Sequence, residues 1–145
     1  MTRDCRSICD RVQGKYVNED LCMVDGYPLA LSDADYLYEF KPESQIITSI
    51  SPEEFLNSVP FKPLDKKHVE ELKKKMKEKH PIDPPFIDLD FKTCKIIGHE
   101  GRHRAKAALE LDINKIPVII YCRDGETGEY VDKEKCRKCL IKLTE

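Results

Sequence analysis

Hydrophobic positions at strand spacing alternate with helical stripes from residue 46 onward. An apolar run at residues 46–50 predicts a strand. Ser51-Pro52-Glu53-Glu54 follows it and combines an N-cap serine, a proline at the first helical position and a capping-box glutamate, so a short helix is predicted before Pro60. A longer helix is predicted to begin at Asp65, a good N-cap residue. Its apolar stripe consists of Val69, Leu72 and Met76.

The opposite face of this longer helix is rich in lysine. A solvated surface is the expected role of such a face, and contact with a nucleic acid is the alternative. The lysines are Lys66, Lys67, Lys73, Lys74, Lys75, Lys77 and Lys79.

Prolines between residues 81 and 85 end that helix, and further strands are predicted beyond them. The strands are residues 86–90, 95–97 and 116–120, with a helix at residues 105–111 and a turn at residues 124–128. Upstream, an extended piece is predicted at residues 24–31. A short strand is predicted from three aromatic residues at period two, Tyr36, Tyr38 and Phe40.

The order of these elements predicts an α+β fold in three segments. Residues 1–46 are expected to be an N-terminal extension with strands that pack on the core. Residues 47–123 contain most of the predicted helices and strands and are expected to form the core domain. Residues 124–145 are expected to form a hairpin and a charged, cysteine-bearing tail.

Composition narrows the class of protein. The chain has 145 residues with 25 Lys and Arg, 27 Asp and Glu, and a net charge of −2 at pH 7. This charge argues against a broad basic face that coats DNA, although a local basic patch remains open. No apolar run approaches the roughly 20 residues of a membrane span, and the first ten residues lack a signal-peptide core. We therefore expect a soluble, cytoplasmic protein without a membrane partner.

The seven cysteines admit two interpretations. Four of them lie in close pairs that could supply thiolates to one zinc ion if the chain termini meet, namely Cys5, Cys9, Cys136 and Cys139. No glycine or aromatic residue follows either pair to form a metal-binding turn. We therefore expect reduced, partly buried thiols and no zinc cofactor; disulfides would require an oxidising compartment or a hyperthermophilic source.

The densest chemistry lies in the stretch His99-Glu100-Gly101-Arg102-His103-Arg104, between a predicted strand and a predicted helix. A helix N-terminus offers unpaired amides and the positive end of the helix dipole, which favour phosphate. The predicted phosphate-binding residues are Gly98, His99, Gly101, Arg102, His103 and Arg104. Glu100 could hold a magnesium ion that bridges phosphates. The alternative is a surface loop whose charges pair with Glu53, Glu54 or Glu110.

This stretch resembles the N-terminal domain of ParB-type partition proteins and the wider ParB/sulfiredoxin fold. ParB proteins carry GERRxRA, and sulfiredoxins carry GCHR, where this chain has Gly101-Arg102-His103-Arg104-Ala105-Lys106-Ala107. Upstream, Val59-Pro60-Phe61-Lys62-Pro63 resembles the first box of the family, and residues 81–88 resemble the beginning of a family strand. The resemblance covers about residues 47–122 and implies an α+β fold with a small mixed sheet and helices packed on it.

The resemblance implies a nucleotide ligand, such as ATP, ADP or CTP, together with magnesium. ParB proteins hydrolyse CTP, and archaeal free-serine kinases of this fold use ADP and carry an acidic-Gly-x-His-Arg motif. Glu100, His103 and Asp65 are accordingly the candidate catalytic residues, with helix capping as the alternative role of Asp65. Arg102 stands where sulfiredoxins have their reactive cysteine, so sulfiredoxin activity is excluded, and ParB proteins have glutamate there.

Two classes of function remain open at this level. The first is an enzyme that hydrolyses or transfers a phosphoryl group, or a ParB-like nuclease. The second is a non-catalytic accessory module that binds DNA or a protein, as stand-alone domains of phage, plasmid or archaeal origin would. The oligomeric state is not predicted.

Overall fold

Two small β-sheets and five α-helices form an α+β fold in residues 5–31, 38 and 40–144, which this computed structural model describes. The predicted fold class is confirmed. The helices are α1 (Cys5–Arg11), α2 (Pro52–Ser58), α3 (Lys66–Lys77), α4 (Arg102–Glu110) and α5 (Arg137–Thr144). The strands are β1 (Lys15–Asn18), β2 (Leu21–Val24), β3 (Tyr27–Ala30), β4 (Gln45–Ile50), β5 (Phe86–Asp90), β6 (Ile96–Glu100) and β7 (Ile116–Arg123).

The main sheet is mixed and has the strand order β4-β7-β5-β6. Strand β7 runs antiparallel to β4 and parallel to β5, and β5 and β6 form an antiparallel pair. Strands β1, β2 and β3 form a separate antiparallel sheet near the N-terminus. The segment before β5 pairs with β3, because Ala30 donates its backbone N–H to the carbonyl oxygen of Ile82 and Ile82 donates to that of Pro28.

Side-chain caps begin α2 and α3 as the sequence predicts. Ser51 Oγ accepts the backbone N–H of Glu54 at 3.0 Å. Asp65 Oδ1 accepts the N–H of Lys67 at 3.0 Å and that of His68 at 3.4 Å. Each cap satisfies amides that have no partner inside the helix, which fixes where the helix starts.

One hydrophobic core joins all three predicted segments. Residues from the N-terminal segment, such as Val12 and Leu29, are fully buried with Ile120 of the central strand. The apolar stripe of α3 is buried as predicted. Cys136 and Cys139 of the C-terminal segment belong to the same core. The N-terminal sheet and the tail are therefore integral parts of the packed structure.

Several elements differ from the predictions in their bounds or their structure. Strand β6 continues to Glu100 and α4 begins at Arg102, so the predicted loop is reduced to Gly101. Residues 36, 37 and 39 of the predicted aromatic strand lie outside the described residues. Tyr38 lies in a turn and Phe40 in a bend. After β7, a turn is closed by a bridge between Arg123 and Tyr130, and α5 follows.

The expectation of reduced thiols is wrong in this structure, because six of the seven cysteines form disulfides. Cys9 pairs with Cys22, Cys94 with Cys139, and Cys122 with Cys136. Three of the four cysteines of the predicted zinc site thus have other partners. The pairings hold Cys9 at the N-terminal sheet and Cys136 and Cys139 at the main sheet. Among the described residues, no helix is long and apolar enough to cross a membrane.

Candidate functional site

Gly101 makes the junction between β6 and α4 a turn of one residue. Its φ is +116°, a conformation that side chains rarely adopt. A Cβ at this position would lie 2.5 Å from Cβ of Pro85. Gly101 is the N-cap of α4, and no side chain caps the helix there. Arg102, His103 and Arg104 are the first three residues of α4. Because successive residues of a helix are about 100° apart around its axis, their side chains point in three directions.

Arg102 lies close enough to His99 for its positive charge to act on the imidazole. Burial lowers the pKa of His99, and the positive charges of Arg102 and Lys62 lower it further. His99 Nδ1 and Arg102 Nη1 are buried and have no hydrogen-bond partner within the described part of the chain. The two residues thus place unsatisfied polar atoms and positive charge on one side of the junction.

His103 connects the starts of α3 and α4. Its Nε2 accepts the backbone N–H of Asp65 at 3.0 Å, so this nitrogen carries no proton. The ring lies 4.8 Å from the His68 ring, centroid to centroid. Burial lowers the pKa of His103, and the charges of His68 and Arg102 add to the effect. In this arrangement His103 positions the helix cap.

Arg104 lies in the wall of an open cavity of about 380 Å³. Its Nη1 donates to the carbonyl oxygen of Pro84 at 3.4 Å. We call this space the cationic cavity, and its lining residues are Ala30, His68, Leu72, Lys75, His80, Pro81, Ile82, Asp83 and Arg104. The volume falls in the range of about 300–1,000 Å³ that is typical of small-molecule pockets.

The walls of the cationic cavity come from four parts of the chain. His68, Leu72 and Lys75 are spaced by four and three residues, so they share one face of α3. Arg104 comes from α4, Ala30 comes from β3, and residues 80–83 close the space on a fourth side. The hydroxyl of Tyr27 donates to the carbonyl oxygen of Asp83 at 2.5 Å and ties this segment to β3.

Tyr27 keeps its phenolic proton in this position. Its side chain is fully buried, and burial raises the pKa of the phenol well above its usual value. The nearby charge of Arg104 opposes that shift. The N-terminal sheet therefore anchors one wall of the cavity through a stable hydrogen-bond donor.

The charges around the cavity favour an anion. Lys75 and Arg104 are fixed cations, Asp83 is the one carboxylate among the lining residues, and two imidazoles offer N–H donors. Sequence patterns identified Arg104 and placed Lys75 on a lysine-rich face with nucleic-acid contact as its alternative role, but they missed His68 and His80. The position of His68 and Lys75 on one face of α3 was a signal in the sequence for a cationic site. The many other lysines of this helix made that signal hard to distinguish from an ordinary solvated surface.

The remaining predicted site residues lie on β6. Gly98 faces Asp88, because a Cβ at Gly98 would lie 2.6 Å from Asp88 Oδ2. That carboxylate is paired with Arg123 at 3.4 Å, and burial raises the pKa of Asp88. Glu100 is exposed and lies opposite Phe86 in the strand register. Gly98 thus serves the packing of the sheet in this structure.

No three side chains of His, Cys, Asp or Glu in the described residues stand together in an arrangement that could hold a metal ion. A single carboxylate with phosphate oxygens and water is a common environment for magnesium, so the exposed Glu100 is compatible with the predicted role.

A second cavity of about 450 Å³ lies on the other flank of α3. Its lining residues are Phe61, Lys62, Leu64, Lys66, Val69, Glu70, Lys106 and Glu110. Glu110 pairs with Lys73 at 3.1 Å and with Lys106 at 3.8 Å, so carboxylates already offset part of the positive charge. The cationic cavity is the better candidate for an anion.

A comparison with protein-family models, curated proteins and solved structures finds no match for this chain.

Proposed function

We propose that this protein binds a phosphorylated small molecule, a nucleotide, with its phosphate in the cationic cavity. The observation that carries the proposal is the convergence of His68, Lys75, His80 and Arg104 on one open space. Arg104 supplies planar, paired N–H donors for phosphate oxygens, and Lys75 supplies a compact charge. The resemblance in the stretch around Gly101 supports a nucleotide as the ligand.

Two features of the cavity support an ester of phosphate over the free ion. The space is larger than one phosphate group requires, and Asp83 offers a carboxylate acceptor for a hydroxyl such as those of ribose. The fixed charges of Lys75, Arg104 and Asp83 sum to +1. The imidazoles of His68 and His80 offer further N–H donors for phosphate oxygens.

His103 and Glu100 have supporting roles in this proposal. His103 borders the cavity through His68 and holds the start of α3 in place. Glu100 would share a magnesium ion with the phosphates, and the metal would supply further charge neutralisation. Asp65 uses one carboxylate oxygen to cap α3, so its role here is to fix the helix that carries His68 and Lys75.

Calorimetric titration with ATP, ADP, CTP and inorganic pyrophosphate, with and without magnesium, tests the proposal. We expect at least one nucleotide to bind and to raise the melting temperature. A hydrogen bond to a charged group contributes about 1.5–3 kcal/mol, so Arg104→Gln should weaken binding at least tenfold. Lys75→Ala should weaken it too, whereas Lys77→Ala, an exposed lysine of the same helix outside the cavity, should not.

The arginine variants locate the site. Loss of binding in Arg102→Gln with full binding in Arg104→Gln would move the phosphate to the junction of β6 and α4 and contradict the cavity. Absence of binding for every nucleotide and for pyrophosphate would contradict the proposal as a whole. Chromatography of the bound nucleotides then separates the two classes of function, since product formation indicates an enzyme and its absence a binding module.

A further inference from the structure

Phe61 is the most exposed large hydrophobic side chain in the part of the chain that the structure describes. It is 93% exposed, whereas Val17, Phe40 and Ile97 lie between 43% and 51%. A single exposed apolar side chain on a polar surface has no special meaning, but one at the edge of an apolar cavity indicates a binding site. Aromatic side chains are also enriched where proteins bind one another. The surroundings of Phe61 therefore decide what it does.

Phe61 lines the second cavity, the space of about 450 Å³ beside α3, which we call the Phe61 groove. Leu64 and Val69 line the groove as well. Val69 is buried, and Leu64 is partly buried against the hydrophobic core. An apolar surface thus extends from an exposed ring to the core, and an apolar side chain of another molecule would remove it from water.

The segment that carries Phe61 is held at both ends. Val59 is buried where α2 ends, and the backbone N–H of Asp65 is hydrogen-bonded where α3 begins. Between these points, Pro60 and Pro63 restrict the backbone on either side of Phe61. A surface that is ordered before binding loses less conformational entropy when a partner arrives.

The Phe61 groove has an excess of positive charge. Its lining residues include three lysines and two glutamates. Lys73 binds both of these glutamates, Glu70 at 3.2 Å and Glu110 at 3.1 Å. With Lys73 included, four lysines and two carboxylates give a net charge of +2. Lys62 and Lys66 have no ion pair with any described residue, so their charges are available to the carboxylates of a partner.

We propose that the Phe61 groove binds an acidic peptide segment of a partner protein through one apolar anchor side chain. The anchor packs against Phe61, Leu64 and Val69. Acidic side chains on either side of the anchor pair with Lys62 and Lys66. The anchor supplies most of the affinity, as buried aromatic contacts do in protein interfaces, and the charges select an acidic partner.

A peptide fits the groove better than a nucleic acid does. Lys73 binds Oε1 of Glu70, so Oε2 can accept a backbone N–H of the peptide. A phosphodiester backbone has no N–H donor and carries a negative charge at every nucleotide, including those next to Glu70 and Glu110. The groove and the cationic cavity have no lining residue in common, so this proposal does not depend on the nucleotide site.

Fluorescence polarisation with labelled synthetic peptides tests the proposal. The probes are short peptides of aspartate and glutamate around one central phenylalanine or leucine, and the controls carry serine at the centre. We expect the probes to bind more tightly than the controls and to weaken as salt is added, because salt screens the lysines. Phe61→Ser should weaken binding about tenfold or more, and the double reversal Lys62→Glu with Lys66→Glu should weaken it too.

Matched variants separate the groove from the general surface. Ile97→Ser replaces an exposed apolar residue outside the groove, and Lys77→Glu reverses an exposed lysine of α3 outside it, so both should keep the wild-type affinity. Phe61→Ser should keep the wild-type melting temperature, since the ring is exposed. Absence of binding by every probe, equal binding of the serine controls, or full affinity in Phe61→Ser would each overturn the proposal. Binding of a labelled single-stranded oligonucleotide that Phe61→Ser abolishes, with no peptide bound, would assign the groove to a nucleic acid instead.

Discussion

Replacement of Gly101 by alanine should be among the most destabilising single changes in this protein. A φ of +116° forces an alanine into a strained backbone conformation, and its Cβ would lie 2.5 Å from Cβ of Pro85 and 2.8 Å from its Cα. The strain costs about 1–2 kcal/mol, and overpacking against a buried proline costs about 1–3 kcal/mol more. Gly101→Ala should therefore lower the free energy of unfolding by about 2–5 kcal/mol.

Gly26→Ala is the matched control for the backbone contribution. Gly26 has a φ of +98°, but the nearest atom to an added Cβ is Cγ1 of Ile113 at 3.4 Å. This variant should lose about 1–2 kcal/mol from strain alone. The entropy that alanine removes from the unfolded chain is the same in both variants, so it cancels in the comparison.

Urea denaturation with intact disulfides measures both free energies. At about 3 °C per kcal/mol for a chain of this length, Gly101→Ala should also melt about 6–15 °C below the wild type. If Gly101→Ala loses no more free energy of unfolding than Gly26→Ala, then Pro85 can move to accommodate the added Cβ without a measurable loss of stability. The close approach of Gly101 to Pro85 would then not fix the junction of β6 and α4.

Substitutions at His103 and Asp65 test the contacts around His103. His103 has a pKa below its usual value of 6.5, so the unfolded chain binds more protons near that pH and stability falls as the pH drops through 6.5. His103→Gln keeps an acceptor for the Asp65 N–H and removes this titration. Between about pH 7.5 and about pH 5.5, its free energy of unfolding should therefore fall less than that of the wild type. An equal fall would refute the lowered pKa of His103 as a source of the pH dependence. Asp65→Ala should lose about 0.5–2 kcal/mol through the missing cap, while Asp65→Asn should stay close to the wild type. An Asn variant as unstable as the Ala variant would show that the carboxylate does more than cap α3.

Local chemistry explains which parts of the fold were predictable. Ser51 and Asp65 cap helices through amides two or three residues away, so the sequence nearby contains the whole signal. Strand β7 was predictable from a local signal too, because its residues form an almost continuous apolar run. The β1–β3 sheet was harder to predict, since β1 is largely exposed and shows no clear alternation.

The candidate site was predictable only where its residues are adjacent in sequence. Arg104 was identified within the stretch around Gly101, whereas His80 reaches the cavity because the chain turns back after α3 and pairs with β3. The single-residue turn at Gly101 depends on Pro85, which lies 16 positions earlier in the sequence. Disulfide pairing has the same origin, because Cys94 and Cys139 are 45 residues apart.

The central position of β7 sets the order in which the main sheet can assemble during synthesis. Its neighbours β4 and β5 leave the ribosome first. Gln45 of β4 cannot pair with Tyr121, its partner in the register, until β7 has been synthesised. Until β7 emerges, β4 and the inner edge of β5 present unpaired backbone groups that can join another chain. A nascent chain that stalls before Ile116 should therefore be prone to aggregation, and arrival of the last strand closes both edges at once.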